Sequence, residues 1–170
     1  THQGRAADFI MSQLYAKNGG YILGNMHFDS FKGHAEIAGS TPVDLIIEEG
    51  RTANSKPHPF KGNMDIEKLK NFIATHDTSE IPLIIITVTC NGNGGQPVSM
   101  ENIRTVASIA KAHNIPLMID AARFAENCYF IKQREAGYAD KSIKDIVLEI
   151  TLGTPRSILR GILEYLHRRL

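Results

Sequence analysis

The chain has 170 residues, 42% of them hydrophobic, with a net charge of +1 at pH 7 from 19 Lys and Arg against 18 Asp and Glu. That length fits one domain with a real core, and the balanced charge argues against nucleic acid or an anionic membrane as partner. No apolar run reaches the roughly 20 residues of a spanning helix, no signal peptide is visible, and Cys90 and Cys128 lack CxxC or zinc spacing, so two buried thiols in a cytoplasmic protein are expected, with a single disulfide as the alternative.

Residues 5–17 (RAADFIMSQLYAK) place Ala6, Ile10, Met11 and Leu14 on one helical face, and Gly19-Gly20 ends that helix. Tyr21-Ile22-Leu23 is a short strand. Residues 43–47 form another, starting after Pro42. Residues 50–63 carry Pro57 and Pro59 without periodicity and read as a loop. A helix follows over 65–75, with Asp65 as N-cap and Ile66, Leu69, Phe72 and Ile73 as its stripe. Residues 82–89 are a continuous apolar, β-branched run, the pattern of a strand buried on both faces of a parallel sheet.

Residues 99–113 predict a helix capped by Ser99, with Met100, Ile103, Val106 and Ala107 inward. Residues 116–120 predict another buried strand. This order implies a right-handed crossover between parallel neighbours. Ser142 and Asp145 stand in capping-box spacing at the head of a helix over 142–150. The chain is then expected to turn at Thr151-Leu152-Gly153 into a separate amphipathic helix, with Thr154 and Pro155 at its start and Ile158, Leu159, Ile162, Leu163, Leu166 and Leu170 along one face. The fold class expected is a three-layer α/β domain over 1–150 with a mainly parallel sheet, followed by that helix over 151–170.

Asp120 ends an apolar strand, and open α/β folds place their ligands at that edge. Alone, it reads more simply as a helix cap. Arg123, three residues on, shares a face with Asp120 if the turn is helical; an ion pair with Asp120 or Glu126 is the structural alternative. Gln3, Gly4 and Arg5 precede the first helix, where free backbone N–H groups attract phosphate. Without context Phe28 is a core residue and Asn91 a loop residue. Gly92, Gly94 and Gly95 lack dinucleotide spacing. His27 and His34 have no carboxylate pattern beside them and read as polar-core or surface residues, with no metal site.

Four segments stand in fixed order: THQGR (1–5), GNMHFD (24–29), TVTCNGNGGQPVS (87–99) and IDAARFAENCYFIKQREAGY (119–138). Together they resemble the cofactor-holding part of the tryptophanase and tyrosine phenol-lyase family of β-eliminating lyases, over about residues 1–150. The resemblance implies a pyridoxal-phosphate (PLP) enzyme with an aminotransferase-like large domain, assembled as a homo-oligomer, a tetramer in the family. It implies α,β-elimination of an aromatic amino acid: tryptophan to indole, pyruvate and ammonia, slightly preferred here, or tyrosine to phenol and the same products. By this resemblance Gln3, Gly4 and Arg5 hold the cofactor phosphate, and Phe28 stacks on its ring. Asn91 and Arg123 meet the ring oxygen. Asp120 keeps the pyridine nitrogen protonated so that the ring serves as an electron sink. Asp120 and Arg123 are the residues nearest the chemistry.

In the family a paired-lysine segment, which supplies the Schiff-base lysine, follows the helix corresponding to 142–150. No lysine of this chain matches it. The chain also opens inside a motif without an initiator Met, and its last stretch resembles nothing in the family. The expectation is a truncated large-domain core that binds PLP non-covalently at most and has weak or no activity, with a grafted or designed terminal helix covering exposed apolar surface. The alternative is a non-catalytic α/β scaffold that binds no cofactor.

Overall fold

The computed structural model describes residues 4–16, 19–52 and 57–153. Gln3 and the helix expected over 154–170 lie outside the described residues. Four strands, β1 (Tyr21–Gly24), β2 (Thr41–Asp44), β3 (Leu83–Thr87) and β4 (Leu117–Asp120), form one sheet in the order β2-β1-β3-β4. Every pairing is parallel. The helices among the described residues are α1 (Gly4–Tyr15), α2 (Asp29–Ile37), α3 (Glu48–Arg51), α4 (Ile66–Thr75), α5 (Met100–Ala112), α6 (Phe124–Arg134) and α7 (Ile143–Gly153).

Alternate strand residues point to opposite faces, and here each face has its own core. Leu23, Ile84, Ile86, Leu117 and Ile119 pack with Leu69, Ile103, Val106, Ile131 and Ile146 from α4, α5, α6 and α7. Ile22, Leu83, Ile85 and Met118 pack with Met11, Tyr15, Phe31 and Ala35 from α1 and α2. The result is three layers, helices on both sides of a parallel sheet. All five residues of β3 are buried, as a central strand requires.

The expected caps form. Asp65 accepts from the Lys68 N–H at 3.0 Å and Ser99 from the Asn102 N–H at 3.1 Å. At α7, Asp145 N–H donates to Ser142 Oγ (3.1 Å) and Ser142 N–H to Asp145 Oδ2 (3.2 Å), the reciprocal pair of a capping box. Both cysteines are free and buried, and burial pushes each thiol up to about 12.

Other expectations need correction. On α1, Ile10 and Leu14 are exposed; the helix turns Met11, Ser12 and Tyr15 toward the sheet, since packing against α2 decides the face. The second strand runs over 41–44 and includes Pro42, which an edge strand tolerates because one side of its ladder is open. Ile46 makes instead an isolated antiparallel bridge to Met64. The segment read as a loop from residue 50 begins inside α3. Helix α2 was not expected, and α6, weighed only as a short helix that Asp120 would cap, starts later, at Phe124. The last turn of α7 takes in Thr151, Leu152 and Gly153, where a turn was expected.

The connection β1–α2–β2 moves toward one edge of the sheet and β3–α5–β4 toward the other. The strand order therefore reverses between β1 and β3, the switch point at which open α/β sheets form a crevice beyond their carboxyl ends. Asn25 fills the gap. Fully buried, it donates from Nδ2 to the carbonyls of Gly62 (2.9 Å) and Thr87 (3.1 Å) and accepts from the Thr87 N–H (3.0 Å).

Candidate functional site

The strands end level in two pairs, and β3 runs two residues past Gly24 of β1, which pairs with Ile85. Gly24 pairs with Asp44, and Thr87 with Asp120. The loops leaving these ends carry the sequence candidates. Residues 121–123 are a turn, and α6 begins at Phe124. Asp120 is thus no helix cap; it closes an Asx-type turn, its Oδ1 accepting from the Ala122 N–H at 3.1 Å. Burial raises its carboxyl above the ordinary value, the Ala122 N–H opposes that, and the negative charge of Asp8 on α1 adds to the rise. A cationic partner would reverse that balance.

Arg123 is held by its backbone, N–H to the Val88 carbonyl at 3.1 Å. Its guanidinium forms no ion pair with Asp120 or Glu126. It lies over Gly95, where an added Cβ would stand 3.4 Å from Nη1. Gly95 belongs to a loop closed by Cys90 N–H to Gln96 O (2.8 Å) and by Gly95 N–H to Cys90 O (2.9 Å). Gly94 and Gly95 take φ of +67° and +76°, which side chains disfavour. Asn91 opens that loop in a 3-10 turn, half-buried, and its amide bonds no described residue. A Cβ on Gly92 would come 2.8 Å from Met26 Cγ, so this loop packs directly on residues 25–28. Phe28 stands there as the N-cap residue of α2, 39% exposed.

Asp120, Arg123, Asn91 and Phe28 are therefore brought to one edge by contiguous loops. Gly4 and Arg5 are exposed at the start of α1, whose first turn carries no acidic residue. Asp8, one turn on, accepts from Ser30 Oγ at 2.6 Å and links this helix to both α2 and Asp120.

Residues that sequence reading did not assign to the site are Asn25, Asp44, Asp8 and Thr87. Asp44 ends β2 as Asp120 ends β4, although the sequence placed it inside a strand over 43–47. It accepts from both the backbone N–H (2.8 Å) and Nδ1 (2.7 Å) of His27. His27 is a polar-core residue, and no group of metal-ligand side chains is found among the described residues. His27 Nε2 and Thr87 Oγ1 are buried without a hydrogen-bond partner. A half-buried carboxylate with a raised proton affinity, an unpartnered amide and an unpaired guanidinium on neighbouring loops suit a ligand with one protonated ring nitrogen and one ring oxygen anion, which is what PLP presents.

A sequence profile described as Beta-eliminating lyase matches residues 1–154. The tryptophanase of Rhodobacter capsulatus is 49% identical over 147 residues, covering 86% of this chain and 32% of that protein. The tyrosine phenol-lyase of a Symbiobacterium species is 45% identical over 150 residues, covering 88% and 32%. The chain spans about a third of the length of these relatives. Among solved structures, alanine aminotransferase from Pyrococcus furiosus superposes with a TM-score of 0.53 at 19% identity, over 68% of this chain and 26% of that one. A PLP-bound C-S lyase from Staphylococcus hominis gives 0.52 at 17%, over 70% and 28%. At these identities the structures speak to the fold alone. The matched sequence takes in every strand end and loop described above, and the chain belongs to the β-eliminating lyase family.

Proposed function

We propose that residues 1–150 form the ring-holding part of a PLP-dependent carbon–carbon lyase acting on an aromatic amino acid, tryptophan or tyrosine, releasing the arene, pyruvate and ammonia. The observation that carries this is Asp120: a carboxylate at the carboxyl end of β4, beside the central strand β3, disfavoured as an anion by burial and by Asp8, and suited to a cation. When bound, PLP supplies an electron sink for carbanion chemistry. Asp120 holds the proton on the ring nitrogen. Asn91 and Arg123 orient the ring oxygen and favour its ionised form. Phe28 covers one ring face and keeps water from it. Gly4 and Arg5, with Gln3 before them in sequence, take the phosphate at the head of α1.

By the resemblance, no lysine of these 170 residues matches the family's Schiff-base position. We therefore propose non-covalent cofactor binding and weak turnover for the 170 residues on their own, since a positioned general base is worth roughly 10²–10⁴-fold. Self-association and a cytoplasmic setting belong to the same proposal; no helix among the described residues is long and apolar enough to cross a membrane. The test is an absorbance and circular-dichroism titration with PLP. Saturable binding with an induced dichroic band, weakened in Asp120→Asn, is expected. No saturable signal at any PLP concentration would overturn the proposal and favour a scaffold that binds no cofactor.

A further inference from the structure

Phe28 is an odd residue to begin a helix. N-cap positions favour Ser, Thr, Asp or Asn, whose side chains satisfy a free N–H; Phe offers none, and α2 has no side-chain cap. Local sequence therefore does not fix how the chain enters α2 or where the Phe28 ring lies. Something from outside the segment must.

That something is Asp44. One of its oxygens receives two donors from the preceding residue, the His27 backbone N–H at 2.8 Å and ring Nδ1 at 2.7 Å. Asp44 ends the edge strand and pairs in register with Gly24, so its carboxylate sits across from the point where residues 25–28 leave β1. Burial alone would raise its carboxyl, but the His27 donors outweigh that and hold it below the ordinary value, with Lys32 adding to the effect. The carboxylate is the acceptor, so Nδ1 carries the proton. The imidazole itself has little freedom. Its side chain is fully buried, nearly parallel to the Phe31 ring at 14° and 6.0 Å. Its other side lies on Gly24, where a Cβ would meet Cε1 at 2.8 Å. Nε2 faces this packing with no partner, so Nδ1 is the ring's single polar attachment.

We infer that His27 and Asp44 form a latch that sets the position of Phe28 over the ring-binding edge, making His27 a positioning residue for the cofactor contact proposed above; the inference rests on that reading for its purpose but not for its geometry. The chain has no tryptophan, so Phe28→Trp installs a single fluorophore at the position in question. In that background we compare His27 with His27→Leu, which removes the ring donor, and with His27→Asn, whose amide N–H stands where Nδ1–H was. The latch requires His27→Leu to lower the indole's anisotropy and expose it to acrylamide, and His27→Asn to restore both. PLP quenching of the indole should be saturable in the parent and shifted about tenfold to higher concentration in His27→Leu, the loss of one charge-assisted hydrogen bond.

Unchanged anisotropy in His27→Leu, or a His27→Asn variant that behaves like His27→Leu, would overturn the latch. If His27→Leu does not fold, Asp44→Ala removes the acceptor of both His27 bonds from the more exposed partner, and its anisotropy and quenching are required to change in the same direction. Absence of PLP quenching in the parent would instead sink the proposed function, while the anisotropy comparison would still decide the latch.

Discussion

Asp120, proposed to meet the cofactor's ring nitrogen, is also a stability liability in the cofactor-free chain. Its carboxyl is raised by burial and by Asp8, so its contribution to folding is favourable while it is protonated and is lost as pH rises through the raised value. Asp120→Asn should therefore stabilise the cofactor-free protein increasingly as pH rises from the ordinary aspartate value through the raised one, with the gain vanishing at lower pH where the unfolded aspartate is itself protonated. The same change should weaken PLP binding by roughly 10- to 100-fold, the worth of a charge-assisted hydrogen bond. Denaturant midpoints across pH and a PLP titration check the two halves, and a variant less stable at pH 7 would contradict the first. Asp120 was legible through the motif around it, IDAARFAEN; alone it read as a helix cap. Asp44 was not, because Leu45, Ile46 and Ile47 follow it and the sequence placed it inside a strand over 43–47. Its partner His27 was not legible, because 17 residues separate the two and only strand register joins them.

At the level of elements, junctions between strands and helices hold the edge in shape. Asn25 bridges the strands where their order reverses. Asn25→Ala would leave the buried Thr87 N–H and Gly62 carbonyl without partners, at a cost of about 2–4 kcal/mol in a urea melt; a loss under 1 kcal/mol would show that water replaces the amide. Asp44 gives an acid-side effect of opposite sign to Asp120. Its folded carboxyl is lowered, so its stabilisation is present above about pH 4 and is lost as pH falls through the folded value. Asp44→Asn should flatten that limb of the stability–pH curve, and an unaltered limb would show that His27 does not bond an ionised carboxylate. Long periodic elements were read correctly from sequence, α4, α5 and α7 with their caps and β3 and β4 with their burial, because each has its own stripe or apolar run. Helix α2 was missed because it buries only Phe31 and Ala35 and contains Gly33. On α1, hydrophobic spacing pointed to Ile10 and Leu14, which are exposed; docking of Met11 and Tyr15 beside Phe31 overrode it.

For the whole molecule, two helical layers flank a four-stranded parallel sheet whose order reverses between β1 and β3, and three of the family's sequence motifs lie at the carboxyl ends of its strands. The motifs were legible as an ordered set. Their convergence was not, because it depends on loops 25–28, 89–96 and 121–123 packing on one another through Gly92 and Gly95. The proposed role of Asp120 is to hold a protonated ring nitrogen at this edge. The direct measurement is the ¹⁵N NMR shift of the ring nitrogen in [¹⁵N]PLP bound to the 170-residue chain. That role requires a protonated, pyridinium-type shift at pH 8 in the parent protein that moves to the unprotonated range in Asp120→Asn. A bound cofactor whose nitrogen is unprotonated in the parent, or one that Asp120→Asn leaves unchanged, would contradict it.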